Sequence, residues 1–169
     1  MVSVVPAPLL SALASAPAVG FSGSRSAALV PSVALSVFQA VSPASRVFVG
    51  CALGLDSAAR SVFPHAVVFR ASSFGSGRGS FARRSVALVQ AVASVSGAVF
   101  VSFPGVSCPS GLLPSSVPGS CFCGLGSGSW ASLAFAVGLG VRCFVFLPSG
   151  VVPPSGWGFV SLGGGWFQV

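Results

Sequence analysis

The stretch from Arg46 to Arg60, RVFVGCALGLDSAAR, comes closest to a chemical site in residue type and spacing. An apolar run, read as a buried strand, stops at a glycine-spaced turn (Gly50, Gly54), and a helix start follows at Asp56-Ser57-Ala58-Ala59. A strand that passes through a Gly-rich loop into a helix turns backbone N–H groups outward at the positive end of the helix dipole. The chemistry this supports is anion binding, phosphate above all. Gly50, Cys51 and Gly54 are expected to form a tight turn that lets a ligand approach the backbone; the alternative is a purely structural turn. Asp56 is the one acidic residue of the chain. It sits where a helix cap is wanted and is expected to be one, because a carboxylate facing phosphate would repel it. A ribose hydroxyl is the ligand it could still take.

The remaining candidates are arginines and small polar residues. Arg25 follows a strand-ending glycine in Gly23-Ser24-Arg25, where a guanidinium can fork onto a phosphate. Arg78, Arg83 and Arg84 form the densest basic cluster, on a Gly-rich loop and a helix start. A helix N-terminus disfavours cations, so the cluster points to an anionic partner, with solvated surface charge as the alternative. Arg46, Arg60, Arg70 and Arg142 border elements and are read as solubilising. Trp130 could stack on a base, although core packing is the commoner fate of such a residue. Five cysteines, odd in number and irregularly spaced, complete no zinc site and read as free, mostly buried thiols. No metal is expected, the cofactor is left unknown, and the expected location is the cytoplasm.

Composition bounds the elements that must position these residues. The 169 residues carry eight arginines, no Lys, no Glu and a formal net charge of +7, and Thr, Asn, Ile and Tyr are absent too. The codons for the missing residues carry adenine, for most of them unavoidably. A nearly adenine-free coding strand therefore accounts for part of the high hydrophobicity. A membrane protein is an alternative, since Val86–Val106 is long and apolar enough to span. Gln90, three serines and a Ser96-Gly97 break within the run favour a helix followed by a buried strand, and a membrane is the less expected partner.

Residues 1–17 are Pro/Ala/Ser-rich and expected to be peripheral. Strands are read at Ala18–Ser22, Arg46–Gly50, Ala66–Arg70, Ala98–Phe103 and Val141–Leu147. Helices are read at Ser26–Val41, Asp56–Val62, Ser80–Val95 and Ser129–Val137. A long irregular loop fills 106–128, and residues 149–169 form a C-terminal extension with room for a short strand pair. Alternation of this kind predicts an α/β domain over 18–148, a three-layer αβα sandwich around a mostly parallel five-stranded sheet. With strand order 3-2-1-4-5, the ligand crevice opens beyond the carboxyl ends of strands one and four, at Gly23-Ser24-Arg25 and Pro104-Gly105.

Five segments in this order and spacing carry a resemblance: GFSGSR (Gly20–Arg25), GCALGLDSAAR (Gly50–Arg60), RRS (Arg83–Ser85), FPG (Phe103–Gly105) and GSGSWASLAFAVGLGVRCFVF (Gly126–Phe146). Together they resemble the SLOG superfamily of Rossmann-like domains. That group includes the DNA-processing protein A domain and the LOG, or lysine decarboxylase-like, enzymes. GCALGLDSAAR is similar to a loop of the DNA-processing branch, Arg84-Ser85 falls where that branch has Arg-Asn, and Gly126-Ser127-Gly128-Ser129 falls where members carry a Gly-Ser/Thr turn. The resemblance implies a nucleotide, a nucleotide derivative or single-stranded DNA bound at the crevice; separately, the near absence of charge makes self-association through apolar patches an expected partner mode. LOG-type N-glycosidic hydrolysis is the enzymatic alternative. It relies on a Glu, and this chain has none; a long insertion also replaces the compact motif after Gly105. The expectation leans away from an enzyme.

Overall fold

The structure, a computed structural model, describes residues 4–169. Among these residues the strands β1 (Ala18–Gly23), β2 (Arg46–Gly50), β3 (Val67–Phe69), β4 (Val99–Phe103), β5 (Arg142–Phe146), β6 (Val160–Gly163) and β7 (Trp166–Gln168) form one mixed sheet. Its order is β3-β2-β1-β4-β5-β7-β6. The first five strands are parallel and keep the expected order. The expected count of five is corrected to seven. β7 pairs antiparallel with β5, and β6 antiparallel with β7, so residues 149–169 complete the sheet. Trp166 explains the attachment: it is fully buried, edge-on to Phe103 at 5.6 Å and to Phe146 at 5.2 Å.

Strand periodicity sorts the core. On one face Val19 and Phe21 of β1 join Val49, Val101 and Phe103 beneath helices α1 (Ala7–Ser15), α2 (Val33–Ala40) and α3 (Leu55–Val62). On the other, Ala18, Phe48, Phe100 and Cys143 pack under α4 (Gly79–Ala93) and α6 (Gly128–Gly138). Strands covered on both faces read as continuous apolar runs, which is the pattern seen in VFVSF and RCFVF. Full burial of a Phe such as Phe21 contributes about 1.5–3 kcal/mol. Gly20 is needed in β1 because a Cβ there would press on the Phe100 ring at 2.9 Å.

Three further expectations are corrected. The N-terminal segment is not peripheral: Leu9, Ala12 and Leu13 of α1 are buried in the first core, at the i, i+3, i+4 spacing of an apolar helical stripe. The helix read at 26–41 is two pieces, a 3-10 turn at Ala27–Leu29 and then α2, because Pro31 keeps Val30 out of the α region. The 106–128 segment contains one helical turn, α5 (Pro118–Cys121), and is held at several points. The Trp130 indole N–H donates to Val106 O at 2.8 Å, the Trp157 indole N–H to Leu112 O at 3.0 Å, and Ser115 N–H to Ala134 O at 3.3 Å. Val86–Val106 divides at Gly97 into the end of α4 and β4, and among the described residues no helix is long and apolar enough to cross a membrane.

Candidate functional site

Beyond the carboxyl ends of β1 and β4 lies a cavity of about 400 Å³. Gly23, Ser24 and Arg25 enter it from β1, Gly105 from β4, Asp56 from α3, Arg84 and Ser85 from α4, and Gly126, Ser127, Gly128 and Ser129 from the start of α6. Residues read as candidates from separate segments are thus brought to one place. The loop after β1 is tied on both sides. Ser24 N–H donates to Phe103 O at 3.1 Å, and Ser24 O accepts from Leu55 N–H at 3.0 Å. Gly54 makes this approach possible: its φ is +68°, and a Cβ would drive into the Ser24 carbonyl.

The α6 entrance is the most anion-friendly part of the wall. Ser127 caps the helix, its Oγ accepting from Trp130 N–H at 3.4 Å and sharing a 2.9 Å hydrogen bond with Ser129 Oγ. The first turn of a helix leaves backbone N–H groups without intrahelical partners, and here they belong to Gly128 and Ser129. Arg25 stands opposite in sequence but on the same cavity, exposed and seated 4.4 Å above the Phe81 ring.

Asp56 is not the cap. Gly54 holds the N-cap position of α3, and Asp56 sits inside the first turn, buried. Its Oδ2 accepts from Ala52 N–H at 3.1 Å and from Arg84 Nη1 at 3.0 Å, in an ion pair withdrawn from solvent. The cause lies in tertiary structure: α4 delivers Arg84 across β2 into the loop that Asp56 closes. Arg84 Nε is also buried and makes no hydrogen bond. Gly50 admits this pair and no ligand, since a Cβ at that position would fall on the guanidinium itself. Gly50, Cys51, Gly54 and Pro104 do not line the cavity. Cys51 Sγ instead accepts from Ala71 N–H at 3.2 Å, and Pro104 ends β4.

The other arginines divide by role. Arg60, read as solubilising, clamps the 50–52 loop by donating to Gly50 O at 2.7 Å and Ala52 O at 3.1 Å. Arg83 Nε donates to Phe74 O at 2.8 Å and Arg83 does not line the cavity, while Arg78 is exposed beside it. Trp130 is fully buried and its indole N–H is engaged, so it is core and not a stacking platform. Sequence reasoning missed Ser22 and Ser132, both on the cavity wall. For Ser22 a signal existed. β1 and β4 each carry a serine one residue before their ends; these two, Ser22 and Ser102, are in register and share a 2.9 Å hydrogen bond.

Among the described residues no cluster of His, Cys, Asp or Glu could hold a metal. Burial pushes the thiols of Cys108 (to about 11), Cys121 and Cys143 upward, while Cys123 is exposed. An alkylating reagent at neutral pH is therefore expected to modify Cys123 well before Cys121 or Cys143, as read by mass spectrometry of the native protein. Equal rates at Cys123 and Cys143 would contradict the burial. A thiol whose folded pKa is raised stabilises the fold fully below its ordinary value of 9.0, and that contribution is lost as pH rises through about 11 for Cys108. Melting temperature should accordingly fall across that alkaline window.

Comparison with known proteins found no matching family model, no matching curated protein and no matching solved structure.

Proposed function

We propose that this chain binds a nucleotide or nucleotide-derived ligand in the cavity at the carboxyl ends of β1 and β4, as a Rossmann-like domain of SLOG type. One observation carries the reading. The first turn of α6, the Ser24-Arg25 loop and several wall hydroxyls converge on a single cavity, at the place where the strand order reverses. The cavity volume lies within the range of small-molecule sites, roughly 300–1,000 Å³. Phosphate sits against Ser127, Gly128 and Ser129, where N–H groups and the helix dipole favour it, and Arg25 neutralises it from the exposed side. Arg84 lines the same wall with its Nη1 engaged by Asp56.

Binding without turnover is the form this function takes. Arg25, Asp56 and Arg84 are the titratable side chains on the cavity wall, and the one carboxylate already accepts from Ala52 N–H and Arg84. General acid–base hydrolysis of an N-glycosidic bond needs a free proton carrier within reach, and this wall supplies none.

The test is thermal unfolding of the purified protein with ATP, cyclic AMP, NAD, ADP-ribose and a short single-stranded DNA. A ligand at 100 times its Kd is expected to add about 2.7 kcal/mol. Arg25→Ala leaves the fold intact, since Arg25 is exposed, and is expected to weaken nucleotide binding about 10- to 150-fold, the worth of a charge-assisted hydrogen bond. A soluble, folded protein that none of these ligands stabilises would overturn the proposal. A shift with DNA alone would replace the nucleotide by single-stranded nucleic acid.

A further inference from the structure

A second chamber, of about 230 Å³, adjoins the first and shares with it Arg25, Ser85 and the 126–128 turn. Its chemistry is different. Where the first is lined by hydroxyls and the α6 N-terminus, the second is lined by Phe81, Phe122, Leu112 and Leu125, with the guanidinium groups of Arg25 and Arg78 at its side. More than half of this wall comes from the 106–128 segment, which the Trp130 and Trp157 indoles pin at Val106 and Leu112. Leu112 is thus held in place on the wall by the Trp157 indole.

We propose, resting on the nucleotide-binding reading above, that this chamber takes the base of the bound nucleotide, with the 106–128 segment supplying most of the apolar wall against which the base stacks. Arg25, Ser85 and the 126–128 turn lie on both walls, so a ligand whose charged end occupies the first chamber passes these residues to reach the second; Arg25 is seated 4.4 Å over the Phe81 ring. What fits beyond that point is a flat group that is apolar on its faces and polar at its edge. Aromatic side chains give sequence-tolerant stacking to any base, because every base has a π-face. The polar groups that Arg25 and Arg78 add are donors only, and the wall holds no carboxylate. Those two arginines favour ring-nitrogen and keto acceptors at the base edge, while the Ser85 and Ser127 hydroxyls on the same wall can donate or accept.

The experiment compares AMP with ribose 5-phosphate, which keeps the anionic end and lacks the base, by calorimetric titration of the full chain. Wild type is expected to bind AMP at least tenfold more tightly than ribose 5-phosphate. Phe122→Leu, which keeps apolar bulk and removes an aromatic face, is expected to weaken AMP several-fold and leave ribose 5-phosphate unchanged; Leu125→Ala, at a half-exposed position of the same wall, serves as a second variant. Equal wild-type affinities for the two probes would overturn the base chamber and leave phosphate binding standing. So would a loss in Phe122→Leu that falls on both probes alike. Binding of neither AMP nor ribose 5-phosphate by wild type would remove the base chamber and tell against the nucleotide reading on which it rests.

Discussion

Asp56→Ala is expected to lower stability by about 3–5 kcal/mol, the usual consequence of removing one partner from a buried ion pair. The Arg84 guanidinium would keep its place with only a few per cent of its side chain exposed and with no countercharge. Its Nε already lacks a partner, and the Ala52 N–H would lose its acceptor as well. For a two-state domain of this size the drop corresponds to roughly 6–20 °C in melting temperature, measurable by circular dichroism. Arg84→Met alone should be comparably harmful, because it strands the carboxylate. The pair Asp56→Leu with Arg84→Met should recover most of the loss, as apolar replacements of buried ion pairs commonly do. Additive losses in the double variant would show that the two side chains do not act as a unit.

Gly54→Ala is the second substitution with a large expected effect, about 3 kcal/mol or more. The backbone there has φ +68° and ψ −125°, a region that only glycine enters without strain, and forcing another residue into it costs about 1–3 kcal/mol. The new methyl would also meet the carbonyls of Ser24 and Arg25, which are main chain and cannot rotate away. Overpacking of this kind adds about 1–3 kcal/mol. The effect should reach the site, because the displaced segment carries Arg25. Chemical denaturation gives the stability change, and nucleotide titration of the folded fraction should show weakened binding as well. A variant with wild-type stability would mean that the 24–25 and 54 turns are not in contact.

The parallel core was legible because its signals are local. β2 occupies the expected Arg46–Gly50, since an apolar β-branched run closed by glycine admits few other readings. The cavity loops were legible for the same reason: those at 23–25 and 105 follow strand ends, the 126–129 turn opens a helix, and each carries Gly or Ser. What escaped depends on partners far along the chain. Asp56 and Arg84 are 28 residues apart, and nothing near either one announces the other. A glycine such as Gly50 reads alike whether a ligand or a guanidinium passes over it. The β5–β7 pairing was hidden too, because an antiparallel strand in a Gly-rich tail shows no period of its own. The helix at Ala7–Ser15 was legible in principle: Leu9, Ala12 and Leu13 mark its buried stripe, and Pro/Ala/Ser-rich composition concealed it.

Burying the one carboxylate has an effect on the outside of the molecule. No exposed side chain carries a negative charge, and arginine is the only strongly basic side chain present. The exterior is therefore unipolar. Side chains of two copies cannot exchange ion pairs, and the long-range force between copies is repulsion that salt alone can relax. Attraction between them has to come at short range from bare aliphatic side chains such as Leu53, Val152 and Val160, which stand well exposed. In colloidal terms this is a like-charged surface with adhesive spots, and self-association is expected to rise with ionic strength.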